Sequence, residues 1–340
     1  KFVTEIETGE YVAPSHTRFG NYVNVWRKDA NKKLAPSTLE AYEYILNKRI
    51  LPKLSHYKME DLTHVHIRGF MEELEEEGLA SSTIQKHFNL LNSIFKLANR
   101  NEVIKHNPMD KVDPPTVTYK EGDVYNSEEL KRLYSFLNQE ENKQQVLIIK
   151  MALLTGMRKG EILGLQWDDV DFNTNTIHVR HSLTYTKESG YRLKEPKTKG
   201  SVRKIAPPKR FMEELKKHKF IKSTDRLEAG ELWEGGKYFF VFSSTFGKPM
   251  HLDSPNRWWN RFLNRINKKM EEENKPLLKK IRFHDLRHTA ATDLINRGVN
   301  PHSISKRLGH SNIKTTMNIY GHYLEEADQK IAAMLDEDYI

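Results

Sequence analysis

The chain has 340 residues and carries 55 Lys plus Arg against 46 Asp plus Glu, a formal net charge of +9. That length allows two or more domains with separate cores, and the basic surplus favours polyanion partners through counterion release. With no Cys, disulfides, cysteine-ligated zinc and thiol nucleophiles are excluded; no apolar run approaches a membrane span and no signal-peptide pattern opens the chain, so the expected compartment is the cytoplasm.

Residues 1–14 read as an N-terminal tail, and a chain opening on Lys1 rather than Met reads as an excised fragment. From His16 the pattern is helical, with Phe19, Tyr22, Val23 and Trp26 at helical spacing. Pro36-Ser37-Thr38 restart a helix that sets Leu39, Tyr42, Ile45 and Leu46 on one face. Thr63 caps a third helix, through Val65, Ile67, Phe70, Met71 and Leu74, which Gly78 ends. Ser81-Ser82 cap a long fourth through Ile84, Phe88, Leu91, Ile94, Phe95 and Leu97. Residues 15–111 thus predict a bundle of about four helices, and 112–125, with Pro114-Pro115, a linker.

A second domain is expected over 126–323, followed by a tail helix at 324–340. Ser127-Glu128-Glu129 open its first helix, and Leu147 to Leu154 read as a buried one. Between Asp169 and Pro208, Ile177, Val179 and Leu183 alternate, a charged turn follows, and Val202, Lys204 and Ile205 lie beyond. This predicts one small antiparallel sheet. Phe239 to Phe242 read as a short strand or an apolar segment, and the chain from Ser254 onward as helical. The fold class is mainly α (α+β): an N-terminal helical bundle and a mostly α second domain with a small antiparallel sheet.

Four separated segments each offer a cation, an imidazole or a nucleophile. In Thr155-Gly156-Met157-Arg158-Lys159-Gly160-Glu161, an apolar helix stops at Gly156, Arg158 sits in the junction, and Glu161 follows on the same face. Glu195-Pro196-Lys197-Thr198-Lys199-Gly200 is a lysine-rich hairpin able to swing onto a phosphate. In His284-Asp285-Leu286-Arg287-His288-Thr289, helical spacing points His284 and Arg287 the same way. His284 and His288 also form an i, i+4 pair that could hold zinc. A metalloprotease needs Glu after the first His, however, and Asp285 stands there, so phosphate binding ranks above metal. In the fourth segment Asn300 caps, Pro301 starts and Gly309 ends a helix. His310 is then presented, Ser311 or Asn312 caps a short helix through Thr315-Thr316, and Tyr320 lies at its far end. Singly, each segment reads as a surface charge, a solvated turn or a packing residue. Their joint occurrence in one basic chain weakens that reading.

The Thr-Gly-x-Arg-x-x-Glu segment, the His-x-Leu-Arg-His segment, and Leu-Gly-His followed by a C-terminal Tyr together resemble the tyrosine recombinase, or phage-integrase, family. The resemblance runs from about Asn126 to the end and more loosely through the first domain. It implies a site-specific DNA recombinase that cuts and rejoins strands through a 3′-phosphotyrosine intermediate, for integration or excision of a mobile element. Arg158 and Arg287 then look like the two arginines on the scissile phosphate, and Lys197 like the hairpin lysine, with Lys199 a rival. His284 and His310 look like the active-site imidazoles, Glu161 like the acid behind Arg158, and Tyr320 like the nucleophile. Tyr323 is a poorer candidate. Tyr320 lies ten residues past His310, one more than in some relatives. On a helix one residue turns a side chain by about 100°, so an irregular turn is expected before it.

The resemblance further implies chemistry without metal, ATP or cofactor, and a homotetramer on synapsed double-stranded attachment sites, with accessory directionality or DNA-bending proteins. Lys86 and Arg100 on the bundle, with Lys199 and His288, are the expected DNA contacts. An arm-binding domain would have preceded the tail at 1–14, and the tail at 324–340, with Ile331, Ala332, Met334 and Leu335 at helical spacing, would dock on a neighbouring subunit or on its own domain. The rivals are a type IB topoisomerase, a non-catalytic DNA-binding regulator and a metal-dependent nuclease.

Overall fold

The computed structural model describes residues 17–117, 122–195, 202–310, 312–313 and 316–317. Two compact units divide at Lys120/Glu121. The expected tails at 1–14 and 324–340 lie outside the described residues.

The first unit is helical. It comprises α1 (Phe19–Lys33), α2 (Pro36–Ile45), α3 (His64–Glu76) and α4 (Ser81–Arg100). The apolar stripes read from the sequence meet in one core: Phe19, Val23, Leu46, Ile67, Leu91, Ile94 and Phe95 are buried. Trp26, also inside, donates to Ser93 Oγ at 3.0 Å, so its indole N–H is satisfied. α2 runs on through one wide turn, Leu46–Ile50, into Leu51–Leu54. The wide turn stands just ahead of Pro52, whose ring would collide with the carbonyl of Lys48 in a regular helix.

Two expectations need correction here. Val65 is 63 % exposed rather than inward; it lies two residues before Ile67, and thus about 200° round the helix from the buried stripe. The cap of α4 is Ala80, with no side-chain bond, rather than Ser81-Ser82.

The second unit opens with α5 (Ser127–Gln139), whose Asn126 and Glu129 form a reciprocal capping box. Next come α6 (Lys143–Thr155) and the short α7 (Lys159–Leu163). α6 is apolar nearly all round, and Val146 to Leu153 are buried along it. A helix of that kind belongs at the centre of a core, and it packs against α7 and three later helices. The glycines at 156, 160 and 164 let this segment approach its neighbours closely. A Cβ on Gly160 would stand 2.9 Å from Leu183 O, and one on Gly164 2.7 Å from Leu183 N.

The strands are β1 (Val170–Asp171), β2 (Thr176–Val179), β3 (Ser182–Thr186), β4 (Gly190–Lys194) and β5 (Arg203–Ile205). They form two antiparallel sheets rather than the one expected: β1-β2-β5, and the hairpin β3-β4. The break falls at Arg180-His181. There Arg180 leaves the ladder and its Nε donates to the buried Asp169 at 2.6 Å. Arg203 and Ile205 face inward, while Val202 is 46 % exposed.

Phe239 to Phe242 is an extended apolar segment joined to the chain at Gln166 by one isolated bridge. The unit is completed by α8 (Lys209–Ala229), α9 (Ser254–Glu272), α10 (Asp285–Asn296) and α11 (Pro301–Leu308). α8, α9 and α10 are the later helices that surround α6. Among the described residues no helix is long and apolar enough to cross a membrane.

Candidate active site

α6 ends on Gly156, which adopts a left-handed φ of 66°. A Cβ there would meet Leu308 Cδ2 at 2.1 Å, so only glycine allows α11 this close. Two residues later Arg158 is the N-cap of α7. Its backbone N–H donates to Glu161 Oε2 and its Nη1 to Glu161 Oε1, both at 2.9 Å. Its Nη2 reaches Gly309 O at 3.2 Å. The Arg158 side chain remains 41 % exposed, whereas that of Glu161 is 5 % exposed.

α10 is pinned at its start. Asp285 is buried and takes a forked pair from Arg282, at 2.9 and 2.8 Å. The Thr289 hydroxyl donates to Asp285 O and accepts from Tyr125 N. Arg287, in the first turn, is 4 % exposed. Its Nη1 donates to Gly156 O. Its Nη2 is buried and has no hydrogen-bond partner among the described residues.

His284, three residues earlier and with helical backbone, keeps part of its surface in solvent. Its centroid lies 5.2 Å from that of His288, edge to face. Among the described residues, no third His, Asp or Glu joins this pair as a metal-ligating group.

α11 has the cap geometry expected from the sequence. Asn300 Oδ1 accepts from His302 N at 2.8 Å, and Gly309 ends the helix with φ 68°. His310 follows, its Nδ1 2.8 Å from the Oγ1 of the fully buried Thr316.

Burial, reinforced by a surplus of positive charge, sets the electrostatics. Burial, and then the charge of Arg158, lower the pKa of Arg287 to about 9, with Glu161 opposing. His310 is lowered to about 4 by burial, then by Arg287, Arg158, His288 and Arg203. His284 falls to about 4 through the dehydration of its site, then through His288, Arg287 and Arg158, with Asp285 opposing. His288 is lowered chiefly by burial. Burial pushes Glu161 up, but Arg203 and Arg158 outweigh it and hold the carboxyl below its usual range.

The structure therefore brings Arg158, Glu161, His284, Arg287, His288 and His310 to one locus from three distant segments. Lys197, Lys199, Tyr320 and Tyr323 lie outside the described residues. Lys86 and Arg100 are exposed on α4, in the first unit.

One member escaped the sequence reading. Arg203 on β5 is buried against Glu161, with Nη2 2.8 Å from Oε2 and Nη1 3.3 Å from Oε1. Its Nε donates to Arg307 O at 2.7 Å. Strict alternation from the inward Ile205 would have turned Arg203 inward too. Thr316 offered no such signal.

The family follows from comparison with known proteins. Residues 124–327 match the phage integrase family, and residues 18–74 match the phage integrase N-terminal SAM-like domain. The ICEBs1 integrase of Bacillus subtilis is 29 % identical over 323 residues, covering 94 % of this chain and 83 % of that one. The Tn1549 transposon integrase, solved in complex with transposon right end DNA, superposes with a TM-score of 0.73 at 25 % identity over 88 % of this chain and 94 % of that one. The lambda integrase tetramer bound to a Holliday junction shares the fold, with a TM-score of 0.63 at 16 % identity over 94 % of this chain and 80 % of that one. The chain belongs to the phage integrase family and is a tyrosine-type site-specific DNA recombinase.

Proposed function

We propose that the cluster around Arg287 holds the scissile phosphodiester and that Tyr320 attacks it. The observation that carries this reading is the buried Nη2 of Arg287, which has no hydrogen-bond partner among the described residues. It stands among Arg158, His310 and His284, and among the described residues Glu161 is the acid that counters the positive charge on Arg287. A buried guanidinium with an open donor calls for an anion. Two guanidiniums offer paired donors to the nonbridging oxygens and stay charged at working pH. In the tautomer where Thr316 Oγ1 donates to Nδ1, His310 carries its proton on Nε2 and donates it to the same oxygens. Such preorganised donors are the largest catalytic term in many enzymes, each worth about 3 kcal/mol.

In the step itself, the Tyr320 oxygen forms a bond to phosphorus and the bond to the 5′ oxygen breaks. The phenol proton passes to His284, which is neutral at pH 7 and so free to accept it. Lys197 supplies a proton to the departing 5′ oxygen; Lys199 is the alternative donor. A 5′ hydroxyl from a second duplex reverses the step, so bond energy is conserved and neither metal nor ATP is required. His288 and Lys199, with Lys86 and Arg100 on the first unit, contact the DNA backbone.

The enzyme works as a homotetramer on paired attachment sites of a mobile element, in the cytoplasm, with accessory directionality or bending proteins. The tetramer of lambda integrase on a Holliday junction supports the assembly.

The test is a nicked suicide duplex in EDTA. Wild type forms a covalent adduct, Tyr320→Phe forms none, and Tyr323→Phe resembles wild type. Lys197→Ala slows cleavage far more than Lys199→Ala. Strand exchange between two sites, in excess over supercoil relaxation, separates recombinase from topoisomerase. Absence of any wild-type adduct would refute the assignment.

A further inference from the structure

Glu161 is saturated. Its Oε1 accepts from Arg158 Nη1 and Arg203 Nη1, and its Oε2 from Arg158 N and Arg203 Nη2. All three charges sit close together, and two of them are almost fully buried, Glu161 at 5 % and Arg203 at 4 % side-chain exposure. Two cations against one anion leave a net charge of +1 at this point. Removing Arg203 would bring the sum to zero. Arg158 would then be the sole partner of a buried carboxylate, and its charge would be drawn inward.

Arg203 is also built into the scaffold rather than hung on it. Its strand pairs with β2, with Arg203 opposite Val179. Its Nε holds Arg307 O, at the end of α11. A Cβ on Gly309 would stand 2.8 Å from Arg203 Nη1, so the turn that carries His310 is seated directly on this guanidinium.

We infer that Arg203 is a positioning residue for strand cleavage: by occupying Glu161 it leaves the charge of Arg158 directed at the phosphate, and by holding the 307–309 turn it sets His310 beside it. The inference rests on the reading of Arg158 and His310 as phosphate-binding groups. A lysine at 203 would restore the charge but not the fork, because an ammonium cannot meet two carboxylate oxygens and a carbonyl in one plane.

The experiment measures adduct formation on a nicked suicide duplex at saturating DNA. It compares wild type, Arg203→Met, Arg203→Lys and Arg203→Met/Glu161→Gln, on a phosphodiester and on a methylphosphonate at the scissile position. Arg203→Met should slow cleavage about 100-fold, the scale of a misplaced catalytic group. Arg203→Lys should recover part of that loss.

Two results are specific to the charge role. Adding Glu161→Gln to Arg203→Met should speed cleavage, because a neutral residue 161 no longer captures Arg158. The Arg203→Met deficit should also shrink on the methylphosphonate, which lacks one anionic oxygen and needs less cationic help. Each preparation is tested on both substrates, so its inactive fraction cancels from that ratio.

Arg203→Met cleaving like wild type would overturn the inference. So would an equal deficit on both substrates together with a double variant no faster than the single. Those outcomes leave the phosphate cluster standing. A wild-type protein that forms no adduct on the phosphodiester removes the cluster reading, and this inference with it.

Discussion

The turn at 156–161 and the first turn of α10 each present an arginine to the same locus, and they treat its charge in opposite ways. Arg158 is half in solvent and hydrogen-bonded to a carboxylate that Arg203 shares. Arg287 is 4 % exposed, bonded to a single carbonyl, and keeps one terminal nitrogen without a partner among the described residues. The first arrangement is stable without substrate. The second is a buried charge that Glu161 offsets only through space and that keeps an open donor among the described residues, so it gains most when an anion arrives. The comparison teaches that the site stores its electrostatic demand in one arginine and its structural order in the other.

The largest expected effect breaks that comparison if it fails. Arg287→Met and Arg158→Met should both cut the cleavage rate by about 1000-fold, the upper range for one lost donor. Their stabilities should move in opposite directions. Arg287→Met should melt higher, by an equivalent of roughly 1–4 kcal/mol, because an apolar chain of similar length replaces an unpaired buried cation. Arg158→Met should melt slightly lower, by under about 1 kcal/mol, since Glu161 keeps Arg203. Calorimetric melting of the DNA-free proteins decides it; an Arg287→Met protein less stable than wild type would show that the charge is satisfied.

Gly156→Ala comes next. It attacks the carbonyl on which Arg287 is anchored. The residue must keep a left-handed φ, and its Cβ would run into Leu308. The strain should cost about 1–3 kcal/mol and shift Arg287 enough to lose about 100-fold in cleavage. An alanine variant with wild-type melting and rate would show that α11 can move aside.

These contrasts also explain what was legible in the sequence. The stop at Gly156, the cap at Asn300 and the end at Gly309 were readable because each follows from local backbone chemistry. So were the apolar faces of α1 and α4. Arg158, His284, Arg287 and His310 were found by motif, which carries residue identity without environment. Nothing in the local sequence said that Arg287 would be buried and Arg158 half exposed; that depends on α6 and α10 packing together. Arg203 was not legible because its burial rests on a contact with Glu161, 42 residues away in the chain. The second sheet was missed because the Arg180 pairing with Asp169 is a contact across eleven residues.

A smaller effect tests whether Arg287 sets its neighbours. His310 in the folded protein is lowered to about 4, below its ordinary value near 6.5. The unfolded chain therefore binds the proton more readily. The stability tied to neutral His310 is fully present above about pH 6.5 and is lost as pH falls toward 4. Arg287 is the first charge responsible after burial, ahead of Arg158. Arg287→Met should thus raise the His310 pKa more than Arg158→Met does, read by nuclear magnetic resonance of the imidazole protons. The stability advantage of Arg287→Met over wild type should widen between pH 6.5 and 4. Equal shifts in the two variants would place the two guanidiniums on the same footing.

The smallest effect extends the contrast of paired and unpaired charge to the first unit, where it concerns DNA affinity rather than chemistry. Arg100 lies 3.7 Å from Asp29, a carboxylate that Lys33 also holds at 2.7 Å. Lys86 projects from the same helix with no carboxylate partner among the described residues. A cation already opposite an acid releases fewer counterions when it meets a phosphate. Lys86→Ala should therefore reduce the slope of log affinity against log salt by about 0.9, and weaken binding alike across DNA sequences. Arg100→Ala should reduce it by less. Fluorescence anisotropy over a salt series measures both slopes. If the Arg100 variant showed the larger change, Asp29 would have to release it on binding, and pairing in the free protein would no longer predict which charges reach the duplex.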